Sequence, residues 1–112
     1  MMRDKDYFHC LVAVIGDTII GFATYFFAYY SWTGKALYLD DLYVLEKHRG
    51  QKIGSLLMDS IFEMAKLENC TKVRWQVSNW NTEAIEFYKK RGAVIDTVEI
   101  NCDVKLTPTL IR

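Results

Sequence analysis

Residues 49–54 read Arg-Gly-Gln-Lys-Ile-Gly and stand between a run of strand-forming residues and the start of an amphipathic helix. A turn with two glycines that opens a helix leaves several backbone N–H groups unpaired and directed outward, where they can hold a phosphate. Short glycine-spaced runs also occur by chance, so this segment alone is a weak motif. A second segment gives it weight, because Trp80-Asn81 leads into a predicted helix that closes with Phe-Tyr-Lys-Lys-Arg-Gly at residues 87–92.

The composition is that of one small globular domain. The chain has 112 residues, 51% of them hydrophobic and 25% charged, which is enough for a single core but not for two. We therefore predict one domain over residues 1–112. The start, Met-Met-Arg-Asp-Lys-Asp, carries acids where a signal peptide is apolar, and the longest apolar runs are too short to span a bilayer. We expect no association with membranes.

The charge balance and the cysteines narrow the partners and the location. Lys and Arg together number 14, and so do Asp and Glu, which leaves no net field to attract nucleic acid. An anionic ligand must therefore be bound by a local site. Cys10, Cys70 and Cys102 are widely separated and lack metal-ligand spacing, which favours reduced thiols in the cytoplasm and no bound metal.

The first half of the chain is typical of three strands. Residues 7–15 and 18–30 are rich in strand formers, and Gly16-Asp17 between them predicts a tight hairpin. After a break at residues 31–35, a third strand is expected over residues 36–45, with both faces mostly apolar as in a central strand. Strict alternation places Leu37, Leu39, Asp41 and Tyr43 on one face and Tyr38, Asp40, Leu42 and Val44 on the other.

The second half alternates helices and strands. Apolar residues recur at helical spacing from Ile53, which predicts a helix ending near residues 68–69. Residues 72–78 alternate and predict a strand. A short helix is expected to end at Arg91, and one or two closing strands are expected over residues 94–106.

Together these features resemble the GNAT superfamily of acetyl-coenzyme A N-acetyltransferases, from its second strand to its end. Within the superfamily, the chain resembles the diamine (spermidine/spermine) N-acetyltransferases. Four segments carry the likeness, at residues 30–35, 37–44, 49–54 and 81–93, and it runs over about residues 7–106. The resemblance implies an α/β fold, with a mixed central sheet and flanking helices.

The start of the chain departs from the family pattern. Family members usually begin with a further strand and one or two helices that wall the acceptor side, and these are absent here. We therefore expect an N-terminally truncated GNAT-like fold whose open sheet edge invites pairing with another chain. That edge and family analogy both predict a homodimer.

The resemblance implies a coenzyme A site at the glycine-flanked turn. Its backbone N–H groups would receive the pyrophosphate, helped by the positive potential of the helix N-terminus. The residues concerned are Arg49, Gly50, Gln51, Lys52, Ile53, Gly54 and Ser55. Lys52 stands where the family usually has glycine, and a positive φ there would cost lysine about 1 kcal/mol or more. We favour the alternative, in which φ is not positive and the ammonium adds a phosphate partner.

A gap between two parallel strands is also implied, between residues 39–45 and 72–78. Pantetheine would pair with the exposed main-chain groups there, and an N–H near Leu42 to Val44 would polarise the thioester carbonyl. Asn81 is a further implied cofactor contact, although a plain helix N-cap explains it equally well. Arg91 either reaches the coenzyme A phosphates or completes a basic last helical turn.

Two residues are predicted to move protons. Tyr88 matches the family's general acid, because a phenol with a pKa near ~10 stays protonated at neutral pH yet can protonate the leaving sulfur. The alternative for Tyr88 is an aromatic side chain in the core.

Asp40 matches a position where polyamine acetyltransferases carry a glutamate that orients the amine and takes its proton. The side chain of Asp40 is shorter than that of glutamate, which favours a water relay. An ideal strand sends Asp40 and Asp41 to opposite faces, which a bulge would alter; the alternative is one solvated and one structural carboxylate.

The acceptor side is predicted to include Trp32, Asp41 and Gln76. Trp32 either contacts methylenes or an ammonium of the acceptor, or is a buried anchor under its loop, which we favour. Tyr30 stands where spermidine enzymes often have an acid, which argues against long polyamines. The predicted function is acetyl transfer from acetyl-CoA to a primary amine of a diamine, polyamine or lysine-like small molecule. The alternative is a truncated coenzyme A-binding or self-associating module without turnover.

Overall fold

The computed structural model describes residues 8–98 and 101–106. They fall into two compact units, one up to residue 76 and one from residue 77 on. The first unit contains a sheet and a long helix, and the second contains a short helix and, after it, described residues without regular secondary structure. Neither described helix has the length and apolarity that a membrane crossing requires.

A tight hairpin opens the first unit. β1 (His9–Ile15) and β2 (Thr18–Tyr30) are antiparallel, and Ile15 pairs with Thr18 across a two-residue turn. Gly16 in that turn has a φ of 61°, a conformation that favours glycine. The predicted hairpin is therefore confirmed.

Two further strands complete the described sheet. β3 (Gly34–Val44) is antiparallel to β2, and the short β4 (Lys72–Arg74) is parallel to β3, so the strand order is β1-β2-β3-β4. The sheet is mixed, as predicted. β4 is shorter than the predicted strand over residues 72–78, because residues 75–78 pair with no strand among the described residues.

A β-bulge in β3 corrects the predicted faces of that strand. Thr24 pairs with Asp41 whereas Tyr25 pairs with Leu39, so Asp40 is the extra residue that opposes none. Four successive odd-numbered residues of β2, which share one face, pair with four apolar residues of β3. These pairs are Phe27–Leu37, Tyr25–Leu39, Ala23–Leu42 and Gly21–Val44. The strict alternation was wrong, since one extra residue moves Leu42 and Val44 to the face of Leu37 and Leu39.

The apolar face of the sheet packs against α1 (Ile53–Leu67). Its buried side chains follow the predicted helical spacing and are Leu57, Met58, Ile61 and Ala65. The largest fully buried side chains of the described chain are Ile20, Leu37, Met58 and Ile61. α1 ends near the predicted position, and Asn69 just beyond it has a φ of 59°, which asparagine tolerates.

The second unit contains α2 (Thr82–Lys90), which ends before Gly92 with a φ of 93°. The prediction of closing strands over residues 94–106 is wrong for the described part of that range, residues 94–98 and 101–106, which contain no strand. An apolar alternating sequence becomes a strand only where its backbone finds a partner, and these residues pair with none in the described chain. Residues 99–100 lie outside the described residues.

Candidate active site

The site in the first unit begins where β3 loses one of its two neighbours. β4 pairs with β3 from Ala36 to Tyr38, and from Leu39 to Val44 the only partner of β3 among the described residues is β2. We call Gly34–Tyr38 the paired half of β3 and Leu39–Val44 its open half. β3 and β4 thus stop pairing after Tyr38 and Arg74, at the position on β3 where the sequence predicted that a gap begins.

The direction of the backbone groups follows from one hydrogen bond. The N–H of Leu45 donates to the carbonyl of Ile20 in β2 over 2.8 Å. Because backbone groups alternate in direction along a strand, the N–H groups of Val44 and Leu42 are directed away from β2, toward the open edge. They are therefore able to donate to a ligand at that edge.

The Arg49 side chain contacts the end of the open half of β3. Its Nε donates to the carbonyl of Val44 over 2.8 Å, and its guanidinium lies 5.3 Å from the ring centroid of Tyr43. The backbone N–H of Arg49 donates to the carbonyl of Glu46 over 3.2 Å, at the end of a 3₁₀ turn (Glu46–His48). The side chain and the amide of Arg49 therefore both have partners within the protein.

The corner, residues 49–55, leads from that 3₁₀ turn into α1. The backbone N–H groups of residues 50–55 make no well-formed hydrogen bond within the described chain, and no side chain caps the helix. The first N–H to find a partner is that of Leu56, 3.0 Å from the carbonyl of Lys52. A run of unpaired N–H groups at a helix N-terminus suits an anion such as a diphosphate.

Lys52 adopts the conformation that we did not favour from sequence. Its φ of 66° and ψ of 19° lie in the left-handed region, where a residue with a Cβ is strained. The prediction that this position avoids positive φ is wrong, because the chain must reverse between the 3₁₀ turn and α1. The exposed Lys52 side chain makes no hydrogen bond or ion pair in the described chain, so its ammonium remains available to an anion.

The two glycines of the corner have different reasons to be small. Gly50 has a φ of 84°, and a Cβ there would meet nothing within 4 Å, so its need is conformational. At Gly54, a Cβ would lie 3.8 Å from Leu42 and 4.0 Å from Val44, which is ordinary contact. The fold itself therefore tolerates a methyl group at Gly54, and the small residue leaves room beside the open half of β3.

Asp40 and Asp41 both lie exposed in the open half of β3. Asp40 is the bulged residue, whereas Asp41 pairs with Thr24 on the face opposite α1. Neither carboxylate makes a hydrogen bond or an ion pair in the described chain. The alternative of one structural carboxylate is therefore not what the structure has, and both groups are open to a cationic ligand.

Tyr38 and Arg74 lie near Asp40, and the sequence analysis assigned neither of them to the site. Burial raises the pKa of the Tyr38 phenol, the nearby Tyr30 and Asp40 raise it further, and Arg74 opposes them. Tyr38 pairs with Arg74 across the β3–β4 ladder, and this pairing brings Arg74 close to the Tyr38 phenol. The sequence spacing could have indicated Tyr38, because it precedes Asp40 by two residues along the strand. It could not have indicated Arg74, because the pairing of Arg74 with Tyr38 depends on the register of β4 against β3.

The other residues of the predicted acceptor side are exposed. Trp32 is 95% exposed in the β2–β3 turn, so the favoured reading as a buried anchor is wrong. Gln76 is exposed just beyond β4. Among the described residues, no three His, Cys, Asp or Glu side chains are grouped to hold a metal ion.

The second unit carries the remaining predicted residues. Asn81 caps α2, and its Oδ1 accepts a hydrogen bond from the N–H of Ala84 over 3.2 Å. Tyr88 is partly buried, its ring centroid lies 5.5 Å from that of Phe87, and burial raises the pKa of its phenol. The guanidinium of Arg91 lies 5.4 Å from the centroid of the same Phe87 ring.

Comparison with known proteins identifies the family of this chain. The sequence model of the acetyltransferase (GNAT) family matches residues 1–93. The chain belongs to the GNAT acetyltransferase family. This membership confirms the resemblance found in the sequence, and the mixed sheet with two helices confirms the predicted α/β GNAT-like fold.

Three relatives illustrate the likeness of this GNAT chain. Thialysine N-epsilon-acetyltransferase of Sus scrofa is 39% identical over 98 residues, which are 80% of this chain and 58% of that protein. Spermidine/spermine N(1)-acetyltransferase-like protein 1 of Homo sapiens is 37% identical over 98 residues, 81% of this chain and 14% of that protein. An integron cassette protein from the mobile metagenome of V. cholerae has a TM-score of 0.79 at 30% identity, covering 86% of this chain and 60% of that one. The chain thus spans 58% of the length of the porcine relative.

Proposed function

We propose that this chain transfers an acetyl group from acetyl-CoA to a primary amine of a small molecule, such as a diamine, a polyamine or a lysine-like amine. The observation that carries the proposal is the corner, where the N–H groups of residues 50–55 have no partner in the described chain, beside the open half of β3. Membership of the GNAT family supports it.

The corner would hold the diphosphate of coenzyme A. Gly50, Gln51, Ile53, Gly54 and Ser55 offer backbone N–H groups, and the positive end of α1 adds favourable potential. Lys52 adds its N–H and its unpartnered ammonium. Arg49 acts differently from the sequence expectation, because its N–H is bonded within the protein, and it stabilises the corner through Val44.

The open half of β3 would position the reacting group. Acetyl-CoA supplies an acetyl group activated as a thioester. Pantetheine carries amides that can pair with the free strand edge as an additional strand does. The N–H of Leu42 or Val44 then donates to the thioester carbonyl and stabilises the negative charge that develops on its oxygen.

Asp40 would prepare the acceptor amine. An alkylammonium with a pKa near ~10.4 has no free lone pair at neutral pH, so it must lose a proton before it attacks. The exposed and unpartnered Asp40 carboxylate can orient the ammonium and take its proton through a water molecule. Asp41, Trp32 and Gln76 would bind the remainder of the acceptor. The names of the thialysine and spermidine/spermine relatives support an amine of this kind.

Tyr88 would protonate the leaving sulfur. Burial raises the pKa of this phenol above its ordinary value of 10.0, so it carries its proton at neutral pH. The Phe-Tyr-Lys-Lys-Arg-Gly segment around it supports the assignment by its resemblance to the family. We also propose that Asn81 and Arg91 contact the cofactor, Asn81 in addition to its role as helix cap.

The assembly and the location are proposed on separate grounds. β1 is an outer strand of the described sheet, and Val12 and Val14 on it are each 50% exposed, which supports a homodimer. The same edge favours a second candidate function, a coenzyme A-binding or self-associating module without turnover. Cys10, Cys70 and Cys102 carry free thiols, which supports a cytoplasmic location.

A thiol-release assay with acetyl-CoA and a panel of putrescine, spermidine, thialysine and lysine tests the proposal. We expect release with at least one amine. Tyr88→Phe is expected to lower kcat by about 10²-fold, the scale of general acid catalysis, with the coenzyme A affinity nearly unchanged. Tyr29→Phe is the matched control, because Tyr29 is 76% exposed and has no proposed role.

Two results would count against the proposal. Tight coenzyme A binding in calorimetry without thiol release for any amine would favour the second candidate. Full activity of Tyr88→Phe would remove this residue from the mechanism.

A further inference from the structure

Two cations lie over one aromatic ring near the β3–β4 ladder. The Nζ of Lys72 and the guanidinium carbon of Arg74 are each 4.9 Å from the ring centroid of Tyr30. Neither side chain forms an ion pair with a carboxylate in the described chain. Two neighbouring positive charges without a counter-ion repel each other, so an anion bound between or beside them would be stabilised.

The register places these cations on the face of the sheet that carries Asp41. Lys72 pairs with Ala36 and Arg74 with Tyr38, and Tyr38 shares a face with Asp41 because their β2 partners, Phe26 and Thr24, are two residues apart. The bulged Asp40 follows Tyr38 by two residues. Strand geometry, ~4.8 Å between strands and ~3.3 Å per residue, puts the Cα atoms of Arg74 and Asp40 about 8 Å apart.

This face therefore carries charges of both signs, and neither the cations nor the carboxylates form an ion pair in the described chain. The carboxylates of Asp40 and Asp41 suit an ammonium, and the fork of Arg74 suits a carboxylate, which it can bind through two parallel hydrogen bonds. A lysine-like amino acid has those two groups at its opposite ends. A diamine would instead bring its second ammonium toward Arg74 and Lys72, where like charges repel.

We propose that Arg74 is a specificity-determining residue that binds the α-carboxylate of an amino-acid acceptor while Asp40 receives its side-chain ammonium. The proposal rests on the proposed acetyltransferase function and narrows its acceptor to side-chain amines of free amino acids. The Tyr30 ring, 4.9 Å from the guanidinium carbon, holds the Arg74 guanidinium in place, and Lys72 adds positive potential. The Tyr38 phenol, whose proton is retained by burial and by nearby Asp40 and Tyr30, is a neutral group between the two charged ends.

The test compares lysine with cadaverine, which keeps the reacting amine and lacks the carboxylate. We expect the wild-type chain to have the higher kcat/KM for lysine, and Arg74→Gln to lower the lysine-to-cadaverine ratio of kcat/KM by about tenfold or more, mainly through the KM of lysine. Arg74→Lys is expected to restore part of the ratio, because it keeps the charge but not the fork. Lys66→Gln is the control, since it removes an exposed charge whose ion pair, within the described chain, is with the exposed Glu63.

A binding measurement keeps the proposal testable if turnover is absent. Calorimetry of lysine and cadaverine with the coenzyme A-loaded protein should give the same order of affinities and the same effect of Arg74→Gln, in samples whose thermal unfolding shows that they are folded. Equal affinities for the two amines, or a ratio that Arg74→Gln leaves unchanged, would overturn the proposal while leaving amine acetylation intact. Weaker coenzyme A binding by Arg74→Gln at an unchanged amine ratio would also overturn it.

Discussion

The two halves of β3 belong to one strand but have different neighbours. The paired half, Gly34–Tyr38, is hydrogen-bonded to β2 on one side and, from Ala36, to β4 on the other. The open half, Leu39–Val44, has only β2 within the described chain, and it contains the bulge with its two carboxylates. The paired half includes Leu37 with 0% exposure, whereas the open half includes the exposed Asp40 and Asp41.

Under the proposed function, this difference separates stability from ligand binding within one strand. In a strand that is hydrogen-bonded on both sides, the backbone donors and acceptors are all used by neighbouring strands. A strand with one free side keeps N–H groups for a ligand, and the rest of the sheet holds them rigidly in place. The corner extends the same principle, because α1 packs on the core while the N–H groups of residues 50–55, before and within its first turn, stay unpaired in the described chain.

The largest effect is expected from Asp40→Asn in the open half. The amide cannot take a proton, so kcat/KM for the preferred amine should fall by about 10²-fold or more. Asp40 is exposed and makes no hydrogen bond or ion pair in the described chain, so the free energy of unfolding should change by no more than about 0.5 kcal/mol. Steady-state kinetics and urea unfolding of the same sample give both values.

Two further carboxylates serve as comparisons for this variant. Asp41→Asn should act mainly on the KM of the amine, because Asp41 pairs with Thr24 in the regular ladder and is proposed to bind the acceptor rather than move its proton. Asp103→Asn should have no effect on either constant, since Asp103 is an exposed residue without a proposed role. An unchanged kcat in Asp40→Asn would mean that the bulge does not deliver the base.

The next largest effect is expected from Leu37→Ala in the paired half. Removing a side chain with 0% exposure should lower the free energy of unfolding by about 2–5 kcal/mol, through lost burial and the cavity left behind. Leu42→Ala, in the open half, should cost less because Leu42 is only partly buried. Its N–H remains, so coenzyme A binding should survive. If Leu42→Ala costs as much as Leu37→Ala, the distinction between the two halves fails.

The sequence predicted those elements whose signals are local. The Gly16-Asp17 turn and the helical spacing of Leu57, Ile61 and Ala65 depend on near neighbours in the chain, and both are confirmed. The corner was found for the same reason, because a glycine-flanked turn and the following helix are adjacent in sequence.

Non-local pairing explains what the sequence did not predict. The bulge at Asp40 exists only in the register of β3 against β2, so strict alternation assigned Leu42 and Val44 to the wrong face. The strand predicted over residues 72–78 extends only over Lys72–Arg74, and the described residues of the range 94–106 contain no strand, because alternation alone does not supply a pairing partner. Trp32 is apolar enough to predict burial, but its turn lies beyond the core.

The smallest effect is expected at Lys52, where local strain and ligand binding meet. Glycine adopts a φ of 66° without a Cβ clash, so Lys52→Gly should raise the free energy of unfolding by up to about 1 kcal/mol, reduced by the greater freedom of glycine in the unfolded chain. Lys52→Gln is the matched control, because it removes the charge and keeps the strained backbone. If the ammonium contacts a phosphate, both variants should weaken coenzyme A binding and lessen its dependence on salt. If only the backbone N–H binds, both should leave the affinity unchanged while Lys52→Gly alone gains stability, and equal stability of the two variants would show that the left-handed turn carries no strain.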